Sequence, residues 1–255
     1  MDGEQIKDMV RDRYAAVAIG NAGCCGPAAT PEQASREVGY SEAALTSVPE
    51  GANLGLGCGN PQAIAAMQPG EVVVDLGSGA GFDCFLAARQ VRPHGRVIGV
   101  DMTHEMLKKA RDNATRAGVA NVEFRLGEIE HLPITDNSAD VVISNCVINL
   151  VSDKQQVYRE AFRVLKPGGR IAVSDVVNIA PLPAEVACDE ALLCVCIAGA
   201  ASADQIEQWL AVAGFTAIRV SVKPESRELV KDWAPGRGIE DYVASAMIQA
   251  RKPRL

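Results

Sequence analysis

The chain has 255 residues, 48% of them hydrophobic and 22% charged, with a net charge of −7 and a pI near 5.1. This balance supports one large globular unit and excludes a nucleic-acid partner, because phosphate binding needs a concentrated Lys/Arg face and the basic residues here are scattered. The longest apolar stretch, Ala191 to Ala203, falls short of the ~20 residues that span a bilayer, and Met1 to Arg13 lacks the cationic stub and apolar run of a secretory signal. A soluble, cytoplasmic protein with no membrane partner is predicted.

Residues 4–18 read as a helix with Ile6, Met9, Val10 and Val17 on one side. Gly20 to Pro31 is turn-rich and holds the adjacent pair Cys24-Cys25, and Val48 to Pro61 is a glycine-rich loop. From Glu71 apolar runs alternate with amphipathic segments. The predicted strands are Val72–Leu76, Val97–Asp101, Val122–Leu126, Val141–Ser144 and Arg170–Ser174; the predicted helices are Phe82–Val91, His104–Ala117 and Lys154–Leu165. The last helix is stopped by Lys166-Pro167-Gly168-Gly169. Short, nearly all-apolar strands separated by helices define a doubly wound α/β sheet covered on both faces. Further on, Ala184–Ala200 is an apolar helical candidate, Ser202–Ala213 a helix capped by Ser202, and Thr216–Val222 and Tyr242–Ala250 two strands that extend the sheet. The expected organisation is an N-terminal extension over 1–69, a nucleoside-binding unit over 70–180, and a part over 181–255 that completes the sheet and covers the site.

The first strand ends in Asp75-Leu76-Gly77-Ser78-Gly79-Ala80-Gly81 and opens straight into a helix. Glycines allow a sharp turn and close backbone approach, and the helix start offers free N–H groups. The order G-x-G-x-G after an acid differs from the dinucleotide pattern G-x-G-x-x-G, and suits a cationic amino-acid moiety better than a pyrophosphate. Asp101 ends the second strand, where it could bind both ribose hydroxyls. Glu128 and Ile129 follow the third strand, beside an adenine, and Asn145 follows the fourth. Taken singly, Asp75 or Asp101 reads equally well as a helix cap or strand end.

Eight cysteines occur without paired C-x-x-C motifs, which disfavours a zinc ribbon. A reducing compartment makes structural disulfides unlikely partners for them. Cys58 sits in the glycine-framed loop Gly55-Leu56-Gly57-Cys58-Gly59, more backbone freedom than a core cysteine needs, and reads as a ligand. Cys146 follows the fourth strand beside Asn145 and reads either as a ligand or as a small core residue. On one helix Cys194 and Cys196 point to different faces, so only one of them reaches a shared site. Cys84 and Cys188 read as structural. Cys24 and Cys25 read as an accessory ligand, a redox partner, or neither. The three histidines, His94, His104 and His131, are expected at the surface, and no acid–base constellation stands out. Soft thiolates select a soft acceptor, and one that attacks through a lone pair needs no base.

Over nearly its whole length the chain resembles the arsenite S-adenosylmethionine methyltransferases of bacteria and archaea, which have a Rossmann-like class I methyltransferase fold. The matching stretches are Leu54–Pro61, Val74–Ala88, Val97–Ala110, Gly127–Pro133, Ala139–Leu150 and Cys196–Ala200, with a later similarity from Ser226 to Trp233 and at Asp241-Tyr242-Val243. The resemblance implies that Cys58, Cys146 and Cys196, rather than Cys194, hold trivalent arsenic, with Cys24 or Cys25 as accessory thiols. It implies that Asp75, Gly77, Gly79, Asp101, Met102, Ile129 and Asn145 line the S-adenosylmethionine site. Arsenite or its thiol conjugates would be the acceptor, and glutathione or thioredoxin the reductant. Two departures stand out: Ala15 follows Tyr14 where a glycine is expected, and Cys194 is an extra neighbour of Cys196. The rival readings are a methyltransferase for a small organic molecule and a non-catalytic thiolate protein that binds the metalloid.

Overall fold

The computed structural model describes residues 3–20 and 30–254. Strands β1 (Val72–Leu76), β2 (Arg96–Asp101), β3 (Val122–Leu126), β4 (Ala139–Asn145) and β5 (Leu165–Asn178) are parallel, and the two-residue β6 (Ala201–Ser202) lies along the end of β5. β7 (Thr216–Lys223) and β8 (Val243–Arg251) complete the sheet in the order β3-β2-β1-β4-β5-β8-β7, with β8 antiparallel to both neighbours. The strand order reverses between β1 and β4. In open α/β sheets the crevice beyond the carboxyl ends at such a point is where ligands bind.

Alternation along the strands divides the core between the two faces. Val73, Val97, Val141 and Ile143 pack with Cys84, Phe85, Leu107 and Ala110 from helices Phe82–Gln90 and His104–Ala117. Val74, Leu76, Val100 and Val142 pack with Val157, Tyr158, Ile206 and Leu210 from helices Lys154–Val164 and Ala203–Ala213. Both faces are thus apolar, as expected for near-continuous hydrophobic strands. A third cluster joins helix Gly3–Ala18 to the segment between β5 and β6. In it Val10 meets Cys58, Cys146, Leu150, Cys196 and Ile197.

Two elements differ from the sequence reading. β5 begins five residues early and runs through the Lys166-Pro167-Gly168-Gly169 turn, with an irregular register against β4 where Gly168 takes φ 85°. The apolar run Ala184–Ala200 is not one helix. It forms two short ones, Ala184–Ala187 and Glu190–Cys194, followed by a turn at Cys196 with φ 66°. The capped helix predicted from Ser202 does form, with a capping box in which the Ser202 hydroxyl accepts from Gln205 N while the Gln205 side chain accepts from Ser202 N.

The start of the sheet is pinned by one ion pair. The Arg170 guanidinium donates to both Glu71 oxygens at 2.7 and 2.8 Å and to the Ala66 carbonyl at 2.8 Å. Both side chains are largely buried. Removing one member of such a pair strands the other charge, so Arg170→Ala is expected to cost about 3 kcal/mol in urea denaturation. A cost within experimental error would show that water replaces the guanidinium.

Candidate active site

The ends of β1, β2, β3 and β4 open into one cleft, roofed by helix Gly3–Ala18 through Val10 and Tyr14. Its wall includes Asp75, Gly77, Gly79, Asp101, Met102, Ile129, Asn145 and Cys146, the residues expected from sequence. Gly77 holds φ 68°, and a Cβ there would run into the Val147 side chain, so the loop needs glycine at this point. Asp101 is locked in place: its carboxylate accepts from Gly79 N at 2.9 Å and from Thr103 N at 2.8 Å.

Asp75, Asp83, Asp101 and Glu130 line the cleft, and no Lys, Arg or His among the described residues does. Burial pushes the carboxyls of Asp75, Asp83 and Asp101 above the ordinary range, and Asp75 is raised further by Asp83. Such a cleft repels pyrophosphate and rewards a ligand that brings positive charge. S-adenosylmethionine, with an ammonium and a sulfonium, fits this donor set; a nicotinamide dinucleotide does not.

Asn145 ties the cleft to the glycine-framed loop. Its Nδ2 donates to Gly59 O at 2.9 Å and to the Tyr40 hydroxyl at 3.0 Å, and its Oδ1 accepts from Cys58 N at 3.1 Å. Tyr40 in turn donates to Asp83 at 2.7 Å. The loop can lie this close because Gly57 and Gly59 carry no side chain: a Cβ on either would collide with Asn145 or Ser174. The glycines therefore seat the Cys58 thiol deep in the protein, where it is 2% exposed.

There the thiols converge. The Cys58 and Cys146 sulfurs and a carboxylate oxygen of Asp175 all lie within 4.8 Å of one another, and all three residues are buried. Cys196 donates its thiol to the Cys146 carbonyl at 2.8 Å. Interaction with Cys196 and Cys58, and then burial, pushes the Cys146 thiol well above the usual cysteine range. Cys146 and Cys196 both take left-handed backbone, with φ 58° and 66°. For a residue with a Cβ this costs roughly 1–2 kcal/mol, a strain found where function over-determines the chain.

Asp175 fixes the turn after Cys146. It accepts from Ile148 N at 3.0 Å, from Asn149 Nδ2 at 2.9 Å and from Val176 N at 2.8 Å. Burial raises its pKa to about 7. Between the ordinary carboxyl range and pH 7 the unfolded chain has lost this proton while the folded chain keeps it. Stability therefore falls as pH rises through that window, by on the order of 4 kcal/mol, and levels off above it. Urea denaturation at several pH values should show the fall, and Asp175→Asn should flatten it; identical slopes in the two proteins would remove Asp175 as the source.

Several expectations need correction or addition. Glu128 is not among the residues that line the cleft but pairs with Lys7 at 2.6 Å, and Glu130 lines the wall. The argument from helix faces for Cys194 and Cys196 fails, because the helix ends at Cys194. The Cys194 carbonyl accepts from the Tyr14 hydroxyl at 3.3 Å, so Tyr14 bridges the roof and the cysteine segment. Cys84 is buried in the core and donates to Asp75 at 3.2 Å, while Cys188 is exposed. His94, His104 and His131 are at the surface as expected. Cys24 and Cys25 lie outside the described residues. The sequence reading missed Tyr40, Asp83 and Asp175. Asp175 carried a signal, being an acid near the carboxyl end of a buried strand, as Asp75 and Asp101 are.

The sheet order and this acid-walled cleft define an S-adenosylmethionine-dependent methyltransferase, and a methyltransferase-domain profile matches residues 67–214. The chain is 51% identical to the arsenite methyltransferase of Halobacterium salinarum, over 99% of its own length and 68% of that protein's. It is 44% identical to the human arsenite methyltransferase over 50% of its own length and 36% of the human chain. The crystal structure of an arsenic(III) S-adenosylmethionine methyltransferase from Chlamydomonas reinhardtii superposes with a TM-score of 0.63 at 33% identity, covering 90% of this chain and 75% of that one. The chain belongs to the arsenite methyltransferase family.

Proposed function

We propose that this protein methylates trivalent arsenic held by Cys58, Cys146 and Cys196. The observation that carries the reading is that Cys146 belongs at once to the cleft wall and to the sulfur cluster. When bound, S-adenosylmethionine supplies an electrophilic methyl group on a cationic sulfur. Asp101 would hold its ribose and Asp75 its amino group, and Ile129 would pack against its base. The thiolates hold the arsenic substrate so that its lone pair faces the cleft. Since an arsenic lone pair carries no proton, the absence of a nearby histidine costs nothing, and positioning supplies most of the rate. Methylation leaves arsenic formally oxidised by two electrons, and a dithiol such as thioredoxin, or glutathione, returns it to the trivalent state by becoming a disulfide. Cys24 and Cys25 are suited to that exchange. Arsenic detoxification, with the cytoplasm as its site, is part of the same proposal; among the described residues no helix is long and apolar enough to cross a membrane.

The test is arsenite-dependent formation of S-adenosylhomocysteine in the presence of thiol, with arsenic products separated by mass. Methylated arsenic is expected. Arsenite binding with no turnover would instead identify a metalloid-binding protein.

A further inference from the structure

The sulfur cluster contains one donor more than arsenic needs. A trivalent arsenic is satisfied by three sulfurs and keeps its fourth position for the lone pair. Yet Asp175 places a carboxylate oxygen within 4.8 Å of the Cys58 and Cys146 sulfurs. A carboxylate has roughly four acceptor sites, and three of those of Asp175 are taken by Ile148 N, Asn149 Nδ2 and Val176 N. These N–H groups hold the carboxylate rigidly and leave it one acceptor direction to use. Ligating carboxylates are held in this way at metal sites. Cys58, Cys146 and Asp175 supply three buried donors, and Cys196, buried beside Cys146, supplies the fourth that the tetrahedral demand of a borderline-soft divalent ion calls for.

We propose that Cys58, Cys146, Cys196 and Asp175 form a four-donor site for a thiophilic divalent cation of the zinc and cadmium class, which occupies the acceptor position and excludes arsenite. Each thiol gives its proton to solvent as its metal–sulfur bond forms, Asp175 likewise releases to solvent any proton it holds before its oxygen ligates, and no electron is transferred. Cys196 must release the Cys146 carbonyl to join. Asp175 is the discriminating residue, because the cation uses its oxygen and arsenic does not. Direct cation binding needs only this donor set. The exclusion of arsenite rests on the reading that the same thiols hold arsenic, and arsenite-dependent turnover of the metal-free protein tests that reading separately.

The experiment titrates Cd2+ into the full, thiol-reduced chain carrying Cys188→Ser, which removes the one exposed thiol among the described residues. Thiolate-to-cadmium absorption in the ultraviolet and calorimetry report binding. A saturable band is expected that arsenite displaces and that Cys58→Ser abolishes. Asp175→Asn should weaken cadmium at least about tenfold more than it weakens arsenite, so that any disturbance of the Cys146 turn, which touches both ligands, cancels in the ratio. A band unaffected by Cys58→Ser, or arsenite and cadmium affinities that fall together in Asp175→Asn, overturns the proposal. Should Asp175→Asn fail to fold, the cadmium-113 chemical shift of the unaltered site decides. A shift typical of three sulfurs with oxygen supports the assignment; one typical of four sulfurs overturns it.

Discussion

Serine at position 146 is expected to lower arsenite-dependent formation of S-adenosylhomocysteine by about 100-fold or more. The substitution changes one atom and keeps the left-handed turn, so the cleft wall retains its shape. What is lost is a soft donor at the one residue shared by the cleft and the cluster. A hydroxyl neither ionises in this buried position nor binds arsenic as a thiolate does. Arsenic would then hang from the remaining sulfurs, and its lone pair would no longer be fixed toward the methyl group. Binding of S-adenosylmethionine, followed by calorimetry, should be nearly unchanged. A serine variant with the rate of the unaltered protein would mean that Cys146 is a core residue after all.

The second large effect is expected at Gly77, and it should fall on cofactor binding. Alanine there must adopt φ 68° and push its methyl group into Val147. The left-handed backbone costs roughly 1–2 kcal/mol and overpacking a similar amount, so Gly77→Ala should lose about 3 kcal/mol of stability. The loop can escape part of the clash only by moving toward the cleft, which takes space from the ligand. Affinity for S-adenosylmethionine should therefore drop about tenfold or more, consistent with a loss of 1.4 kcal/mol for each factor of ten. A variant with lower thermal stability but intact affinity would show that the loop yields away from the cleft.

Much of this site was legible because strand ends are legible. The apolar runs that end at Leu76, Asp101, Leu126 and Ser144 are short and bounded, so the residues at and just beyond their ends could be placed at one end of one sheet. Reading strand ends reaches Asp75, Asp101, Ile129, Asn145 and Cys146, all of which line the cleft. It faltered at Glu128, where the turn after β3 closes with His131 N donating to Glu128 O and rotates the wall position to Glu130. It failed over Ala184–Ala200, since alanine, leucine, valine and cysteine are compatible with a long helix and outweighed the one local mark of the break, Asp189, which caps the second helix by accepting from Leu192 N. The end of the segment is held from outside: Gly199 packs against the Asn149 carbonyl so closely that a Cβ would collide with it. Asn149 is itself held by Asp175. Such tertiary contacts leave no periodicity to read. Tyr40 and Asp83 were invisible for a similar reason, being joined across 43 positions of chain by one hydrogen bond.

The left-handed cysteines carry a practical consequence. At Cys146 and Cys196 glycine would relieve roughly 1–2 kcal/mol of backbone strain, set against the lost packing of a buried side chain. Under the proposed arsenic-binding role, activity gives these two positions a reason to stay cysteine that fold stability does not. A library screened only for survival at high temperature therefore exerts no pressure to keep either thiol. Any stabilisation programme for this enzyme has to hold those two codons fixed, or select on turnover at every round.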